Sequence, residues 1–506
     1  MPATLLEPDK SVIQGLVLRG YTHPFSCHLL FAFPATTQPG AATAAFFRQL
    51  YPRVQNAEEW GAQKPASFLN IGLTYPGIQQ LQVLAAAELA TFPNEFVTGP
   101  WSYASQQSLG DCDAMPPEKA TNPGSPATWW GGRFTPDALH CVVHAYALSQ
   151  PDLDELTAFI AAAAAASHVQ ELFPRAGSNE RLTQFQLPDD RIHFGYRDGI
   201  SEPRLFLSDG VVANATQSDL ANFLIGYSPA TSLVQPGPTL PAGSSATAVG
   251  AAAARFAANG CYNAFRILYQ DVAAFDALLE QAAEKLGPTV GPASTQEWMA
   301  AKLVGRWRNG SPLMLSPEQP DEATRDGEGF CYLEPGTPPP GDVASTLRCP
   351  FAAHTRVANP RDEHLTPLES FPMPLPPRIA RRGMPYGPTL TATNAAEDRG
   401  LIGLFLCGSI TGQFEKLYGW MNTNNFATSF PAYPTASQDA LMGNRNPSNG
   451  SVNTNFVVPL PNSPGTFTLT DLPPLIVTRG TAYCLLPSLT TLRQLAGLPP
   501  QEPAAA

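Results

Sequence analysis

The chain has 506 residues, 43% hydrophobic and only 14% charged, with a formal net charge of −12. This is a globular composition with ample core material, and its acidity excludes nucleic acid and anionic membrane as natural partners. No run of about 18 apolar residues suggests a membrane span, and the opening MPATLLEPDKSVIQG lacks the basic and apolar regions of a signal peptide.

Strand-like and helix-like patterns alternate along the chain. CHLLFAFPA (27–35) reads as a strand and AATAAFFRQLYPRV (41–54) as an amphipathic helix. SFLNIGLTY (67–75) reads as a second strand, with Pro76 placed to open a helix. ALHCVVHAYAL (138–148) reads as a third strand, and the following acidic turn and alanine run favour helix. The theme returns in CYNAFRILYQ (261–270) with the helical DVAAFDALLEQAAEKL, then in LIGLFLCGSI (401–410) with GQFEKLYGWMN. TAYCLLPS (481–488) is the last strand, before a short terminal helix. Two α+β halves of similar architecture are therefore expected.

Three segments interrupt the pattern as long loops: the Pro/Gly/Ala/Ser-rich 229–258, the Pro/Gly/acid-rich 315–345 and the Asn/Ser/Pro-rich 428–475. The first sets a domain boundary near residue 235. Of eight cysteines, Cys141, Cys261, Cys407 and Cys484 sit in apolar runs and read as buried thiols, while Cys331 and Cys349 lie in Pro/Gly-rich sequence that allows one disulfide, which the count does not require. Sequons occur at Asn214, Asn309 and Asn449.

No P-loop, G-x-G-x-x-G after a strand, G-x-S-x-G or H-E-x-x-H is present, so hydride transfer, serine hydrolysis and zinc proteolysis lack local support. Four polar clusters remain. HFGYRDGISEP (193–203) sets Asp198 between Gly195 and Gly199, and alone it reads as a tight turn. In CPFAAHTRVANPR (349–361) small residues precede His354, leaving room for a flat cofactor, and imidazole is a standard haem ligand. RIARRGMPYG (378–387) gathers three arginines that suit an anion or a developing charge. GLFLCGSITGQFEKLYGWMN (403–422) reads by default as core.

GYRDGISEP, AAHTRVANPR and RRGMPYG, in this order, resemble the dye-decolorizing peroxidase family, whose hallmark is G-x-x-D-G. VIQGLVLRGY, CYNAFRILYQDVAAF and GLFLCGSITGQFEKLYGW extend the resemblance over about residues 12–490, the three loops excepted. It implies two ferredoxin-like α+β domains, 1–235 with G-x-x-D-G and 236–506 with the haem ligand. Each would be an antiparallel sheet with peripheral helices, and haem b would sit mainly in the second. It implies His354 as proximal ligand to the haem iron, Asp198 as acid–base group and Arg381 as charge stabiliser, with Arg382 the alternative. Arg356 and Arg361 would meet the propionates, Leu404 and Leu406 would line the distal cavity, and Trp420 with Tyr418 would carry electrons from bulky dyes at the surface.

The implied reaction oxidises dyes and phenolic or other aromatic compounds, and Mn(II) as a further donor, by one-electron steps at the expense of hydrogen peroxide. A carboxylate base predicts an acidic optimum. Haem delivery or iron release without peroxidation is the competing function. The expected state is a monomer or small homo-oligomer with no membrane or nucleic-acid partner. The inserts, few lysines and sequons resemble the secreted fungal branch, with the cytoplasm as the alternative compartment.

Overall fold

Near-continuous burial along the apolar runs builds one curved sheet covered on both faces. The computed structural model describes residues 8–35, 39–61, 63–112, 122–175, 177–206, 217–227, 236–238, 243–287, 293–332, 348–362, 377–423, 438–443, 454–460 and 465–500. The strands are β1 Phe25–Ala32, β2 Ser67–Thr74, β3 Cys141–Ala147, β4 Gln170–Leu172, β5 Leu182–Phe185, β6 Arg204–Phe206, β7 Gln217–Asp219, β8 Cys261–Gln270, β9 Ala380–Arg381, β10 Met384–Tyr386, β11 Gly400–Cys407, β12 Phe456–Pro459, β13 Thr466–Leu469 and β14 Ile476–Leu486. The main sheet runs β10-β11-β8-β14-β2-β3-β1-β4, with β5 also on β1 and β9 also on β11, while β6–β7 and β12–β13 form separate pairs.

The same plait occurs twice in this order. In the first half β4-β1-β3-β2 sets the first and third strands in the middle with the fourth and second at the edges, and β14-β8-β11-β10 repeats it in the second. All these pairings are antiparallel, and helices fill the connections, as in a ferredoxin-like α+β fold. The halves meet through β14 and β2, at Cys484 opposite Thr74 and Leu485 opposite Leu73. Residue 235, the expected boundary, lies outside the described residues.

Period-two alternation sorts the side chains of each strand between two cores. Phe68, Val142, Tyr146, Phe265, Ile402 and Leu404 share an inner cluster. Leu69, Val143, Leu268, Phe405 and Cys407 join the outer one, beneath the helices. The far ends of the sheet are bridged by Gln184 of β5, whose amide nitrogen donates to Ile402 O of β11 at 2.8 Å and to Met384 O of β10. Its carbonyl accepts from Ser26 Oγ at 2.9 Å and from His28 Nε2. The sheet thus curls around its inner core.

The helices sit where propensity and capping put them. In Gln150–Ala166 Pro151 stands in the first turn, Ser149 Oγ accepts from Asp152 N at 3.3 Å, and Leu153, Leu156, Ile160, Ala163 and Ala164 form the buried stripe. Helix Thr295–Val304 has no such stripe, because Trp298 through Val304 are all buried, and this all-round burial hid it in the sequence. β14 starts at Ile476, earlier than the apolar run suggests, because Thr478 and Thr481 face a buried guanidinium. Strands β4, β5, β9 and β10 are too short to show a period. All eight cysteines are thiols, so Cys331 and Cys349 form no disulfide.

That guanidinium is Arg266 of β8. It donates to both carboxylate oxygens of Asp111 (2.7 and 2.9 Å), to Thr478 and Thr481 (2.8 and 2.7 Å) and to Tyr418 Oη (3.2 Å). The pair ties the first half to the second where both side chains are buried. Asp111→Ala leaves an uncompensated interior charge and should cost about 3–5 kcal/mol, read as a lowered midpoint in chemical denaturation.

Candidate active site

Two glycines shape the loop that carries Asp198. Gly195 and Gly199 adopt φ of +88° and +74°, a region that side-chain-bearing residues rarely enter. Arg197 then fastens the loop, donating through Nε and Nη2 to the two Asp326 oxygens at 2.9 and 2.8 Å and through Nη1 to Asp189 O at 3.0 Å. The Asp198 backbone N–H donates to Asp190 O at 2.8 Å. Its carboxylate, by contrast, is 34% exposed, and no donor among the described residues reaches it within hydrogen-bond distance. The nearest cation is Arg381 Nη1, 3.8 Å from Oδ1.

Arg381 reaches that position from the sheet. β9 pairs with β11 so that Arg381 stands opposite Phe405, and directly opposed residues share a face. Arg381 Nε donates to Glu202 Oε1 at 2.9 Å, its backbone N–H to Glu202 Oε2 at 2.8 Å, and Nη2 to Ile200 O at 2.9 Å. Burial opposes its charge, but the Glu202 and Asp198 carboxylates outweigh that and hold its pKa above the usual arginine value. Arg382 turns away: Nε donates to Leu16 O at 3.1 Å and Nη1 to Glu202 Oε2 at 3.1 Å. Of the two arginines, Arg381 is the one beside Asp198.

The β9–β11 register corrects one expectation. Leu404 and Leu406 face away from Arg381 into the inner core, fully buried, and the residue on the Arg381 face is Phe405. Phe405 stacks on Phe414 at 5.3 Å and 30°, and Phe414 lies 5.2 Å from Tyr418. Alternation along the strand, rather than hydrophobicity, decides which side chain lines the site.

His354 opens the short helix His354–Ala358. Its Nδ1 lies 2.8 Å from Asp439 Oδ2, while Asp439 Oδ1 accepts from the backbone N–H groups of Leu441 and Met442 at 2.8 and 2.7 Å. Asp439 is wholly buried. With a carboxylate as acceptor, Nδ1 carries the proton of the neutral ring, and Nε2 keeps the lone pair a metal needs. The helix is seated by Thr355 Oγ1, which donates to Val304 O at 2.7 Å. Next to Val304, Gly305 (φ +93°) has no room for a Cβ, which would lie 2.3 Å from Thr355 Oγ1. One residue on, Arg306 Nη2 donates to Ser201 Oγ at 3.1 Å, three positions from Asp198. The stretch Val304–Arg306 therefore touches the His354 helix and the Asp198 loop together.

Other arginines divide between structure and site. Arg356 is buried, donates to Cys349 O and lies 4.2 Å over the Phe351 ring and 4.6 Å over Tyr332, so its role is packing, a correction to its reading as a cofactor contact. Arg361 donates to Glu328 O at 2.7 Å and stacks 3.8 Å over Phe330. Its charge nonetheless reaches Arg378: burial first, then Arg361, lowers the Arg378 pKa to about 10. Arg378, Arg361 and Arg381 form a cationic patch beside Glu202 and Glu328. Tyr418 is 3% exposed and bonded to Arg266, which corrects its assignment to the surface, whereas Trp420 on the same helix is half-buried. Glu202 and Asp439 are the polar residues that sequence reasoning missed. Glu202 stands in the quoted motif, but Asp439 lies in a stretch that reads only as loop.

Asp439→Ala removes the acceptor for His354 and for two backbone N–H groups at a fully buried position. A stability loss of about 2–3 kcal/mol in denaturant titration is expected.

No family model matches the chain. It is 28% identical over 363 residues to a dye-decolorizing peroxidase of Mycena epipterygia, across 68% of this chain and 63% of that one. It is 27% identical over 464 residues to peroxidase 2 of Mycetinis scorodonius, across 85% and 77%. The match to the Mycena protein thus spans under two thirds of that relative's length. Among solved structures, a decolorizing peroxidase from Auricularia auricula-judae superposes with a TM-score of 0.72 at 23% identity, over 96% of this chain and all of that one. A dye-decolorizing peroxidase in complex with 2,6-dimethoxyphenol gives 0.71 at 23%, over 97% and 100%. The sequence relatives are named alike, and the fold is that of solved dye-decolorizing peroxidases over nearly the whole chain.

Proposed function

We propose that the protein is a haem peroxidase that uses hydrogen peroxide to oxidise dyes and phenolic compounds. The observation that carries this reading is the pairing of an accessible, donor-free carboxylate, Asp198, with a guanidinium fixed 3.8 Å away. Haem carriage alone needs neither group. A relative's structure contains 2,6-dimethoxyphenol, a phenolic ligand that agrees with such a donor class.

The residues fit haem b. His354 offers Nε2 to iron, with Asp439 fixing its ring and raising its basicity through Nδ1. Arg378 and Arg361 would supply the positive charge that two propionates require. When bound, the haem supplies the redox chemistry, accepting oxidising equivalents from peroxide and passing them to aromatic donors.

The protein's own part is proton movement and charge. Asp198 takes the proton from one peroxide oxygen and returns it to the other, as base and then acid. No donor holds its lone pairs, so they are open to that proton. Arg381 Nη1, the one guanidinium nitrogen not engaged with Glu202 or Ile200, faces the same space and stabilises the negative charge that develops. Among the described residues no three metal-binding side chains converge, and Asp362 Oδ1 already accepts from Tyr332 N at 2.7 Å, so organic donors rather than Mn(II) are assigned. An extracellular location follows from the fungal relatives, within the same proposal.

Asp198→Ala and Arg381→Ala should each slow the reaction with peroxide about a hundredfold or more in stopped-flow spectra while the haem band is retained. Unchanged rates would refute the assignment. His354→Ala should lose the ligand field of a histidine-bound ferric haem in the visible spectrum. With half-buried Trp420 as the residue that passes electrons from dyes too large for the cavity, Trp420→Ser should depress dye turnover several-fold and leave the peroxide step intact.

A further inference from the structure

Two carboxylates, Asp198 and Glu202, stand near one guanidinium, and the structure treats them differently. Glu202 accepts three donors: Arg381 Nε at 2.9 Å, the Arg381 backbone N–H at 2.8 Å and Arg382 Nη1 at 3.1 Å. Asp198 sits at 3.8 Å, beyond hydrogen-bond reach. With Nε held by Glu202 and Nη2 held by Ile200 O, the plane of the Arg381 guanidinium is fixed at two corners. An arginine released from these anchors would close on Asp198, since bidentate carboxylate pairing is its preferred geometry.

We propose that Glu202 is a positioning residue that holds Arg381 off Asp198, keeping the Asp198 carboxylate out of hydrogen-bond reach of the guanidinium and so available to carry a proton. The inference rests on the reading of Asp198 as the proton carrier. Glu202 also supplies negative charge among otherwise cationic neighbours. Arg378 donates to Ser201 O at 3.4 Å, Arg306 to Ser201 Oγ at 3.1 Å, and Arg382 closes the side facing Leu16. Arg361 and Glu328 act on Arg378 from the segments beyond it, and Glu328 acts on Arg381 as well. On the loop's other flank Arg197 is neutralised by Asp326, Asp189 and Asp190.

Glu202→Gln keeps the shape, removes the charge and offers one acceptor where two were used on Arg381. Both changes favour the ionised form of a neighbouring carboxylic acid, so the acid limb of the peroxide reaction should move to lower pH by about 0.5–1 unit. A role confined to stability would lower the amount of folded enzyme without moving that limb. Glu202→Asp retains the charge on a shorter arm, and its limb should move less than that of the glutamine variant.

The second readout needs no haem. In the apoprotein the Arg381 Nε–H resonance, assigned by its loss in Arg381→Lys, should exchange with solvent at least about tenfold faster in Glu202→Gln than in the parent. An unshifted or alkaline-shifted limb, or unchanged exchange at Arg381, overturns the proposal. Should the glutamine variant fail to fold, Glu202→Asp takes its place in both measurements, and no change in either is then the overturning result. Unimpaired peroxide reaction in Asp198→Ala would remove the proton-carrier reading instead, while the exchange measurement still reports whether Glu202 holds Arg381.

Discussion

A guanidinium taken out of water must find its acceptors, and where each interior arginine finds them decides the form of this protein. Arg266 finds Asp111 and two threonines of β14, and in doing so fastens the two halves of the chain. Arg356 finds a backbone carbonyl and two aromatic faces, and holds the His354 segment against its neighbours. Arg382 finds Leu16 O and Glu202, and joins the motif loop to the start of the chain. Arg381 alone of these is saturated on one side and open on the other, with 40% of its side chain exposed. Chemistry is left to the cation whose partners are incomplete.

The carboxylates follow the same logic in reverse. Asp111 and Asp439 are buried and fully engaged, and each fixes a side chain of opposite or complementary character: a guanidinium for one, an imidazole for the other. Asp198 meets no donor among the described residues and stands partly exposed at the end of a glycine-shaped loop. A bound carboxylate orients its neighbour, whereas an unbound one has lone pairs for a proton. The site separates these duties between residues that look equivalent in composition.

The two sides of the site come from distant stretches of chain, and their meeting depends on close backbone approach. Val304–Arg306 contacts both the His354 helix and the Asp198 loop, and Gly305 is where a Cβ would push them apart. β11 contributes through register: Phe405 opposite Arg381 starts a chain of rings through Phe414 to Tyr418, the side chain against which Arg266 rests.

The alternation of strands and helices and the two-fold α+β plan were legible in the sequence, as were the short motifs holding Asp198, His354 and the Arg381–Arg382 pair, because periodicity and motifs are local and survive in one dimension. The sequence left the short strands β4, β5, β9 and β10 invisible, since two to four residues carry no period, and the helix Thr295–Val304 unread, since burial on all sides erases its stripe. Only the tertiary structure decided that Phe405 rather than Leu404 or Leu406 faces Arg381, that Arg356 and Tyr418 are spent in the interior, and that Asp439 and Glu202 stand behind His354 and Arg381. Those choices turn on which face of a strand meets the site and which acceptor a buried donor reaches. Both are set by contacts between residues far apart in the chain, which no local pattern records.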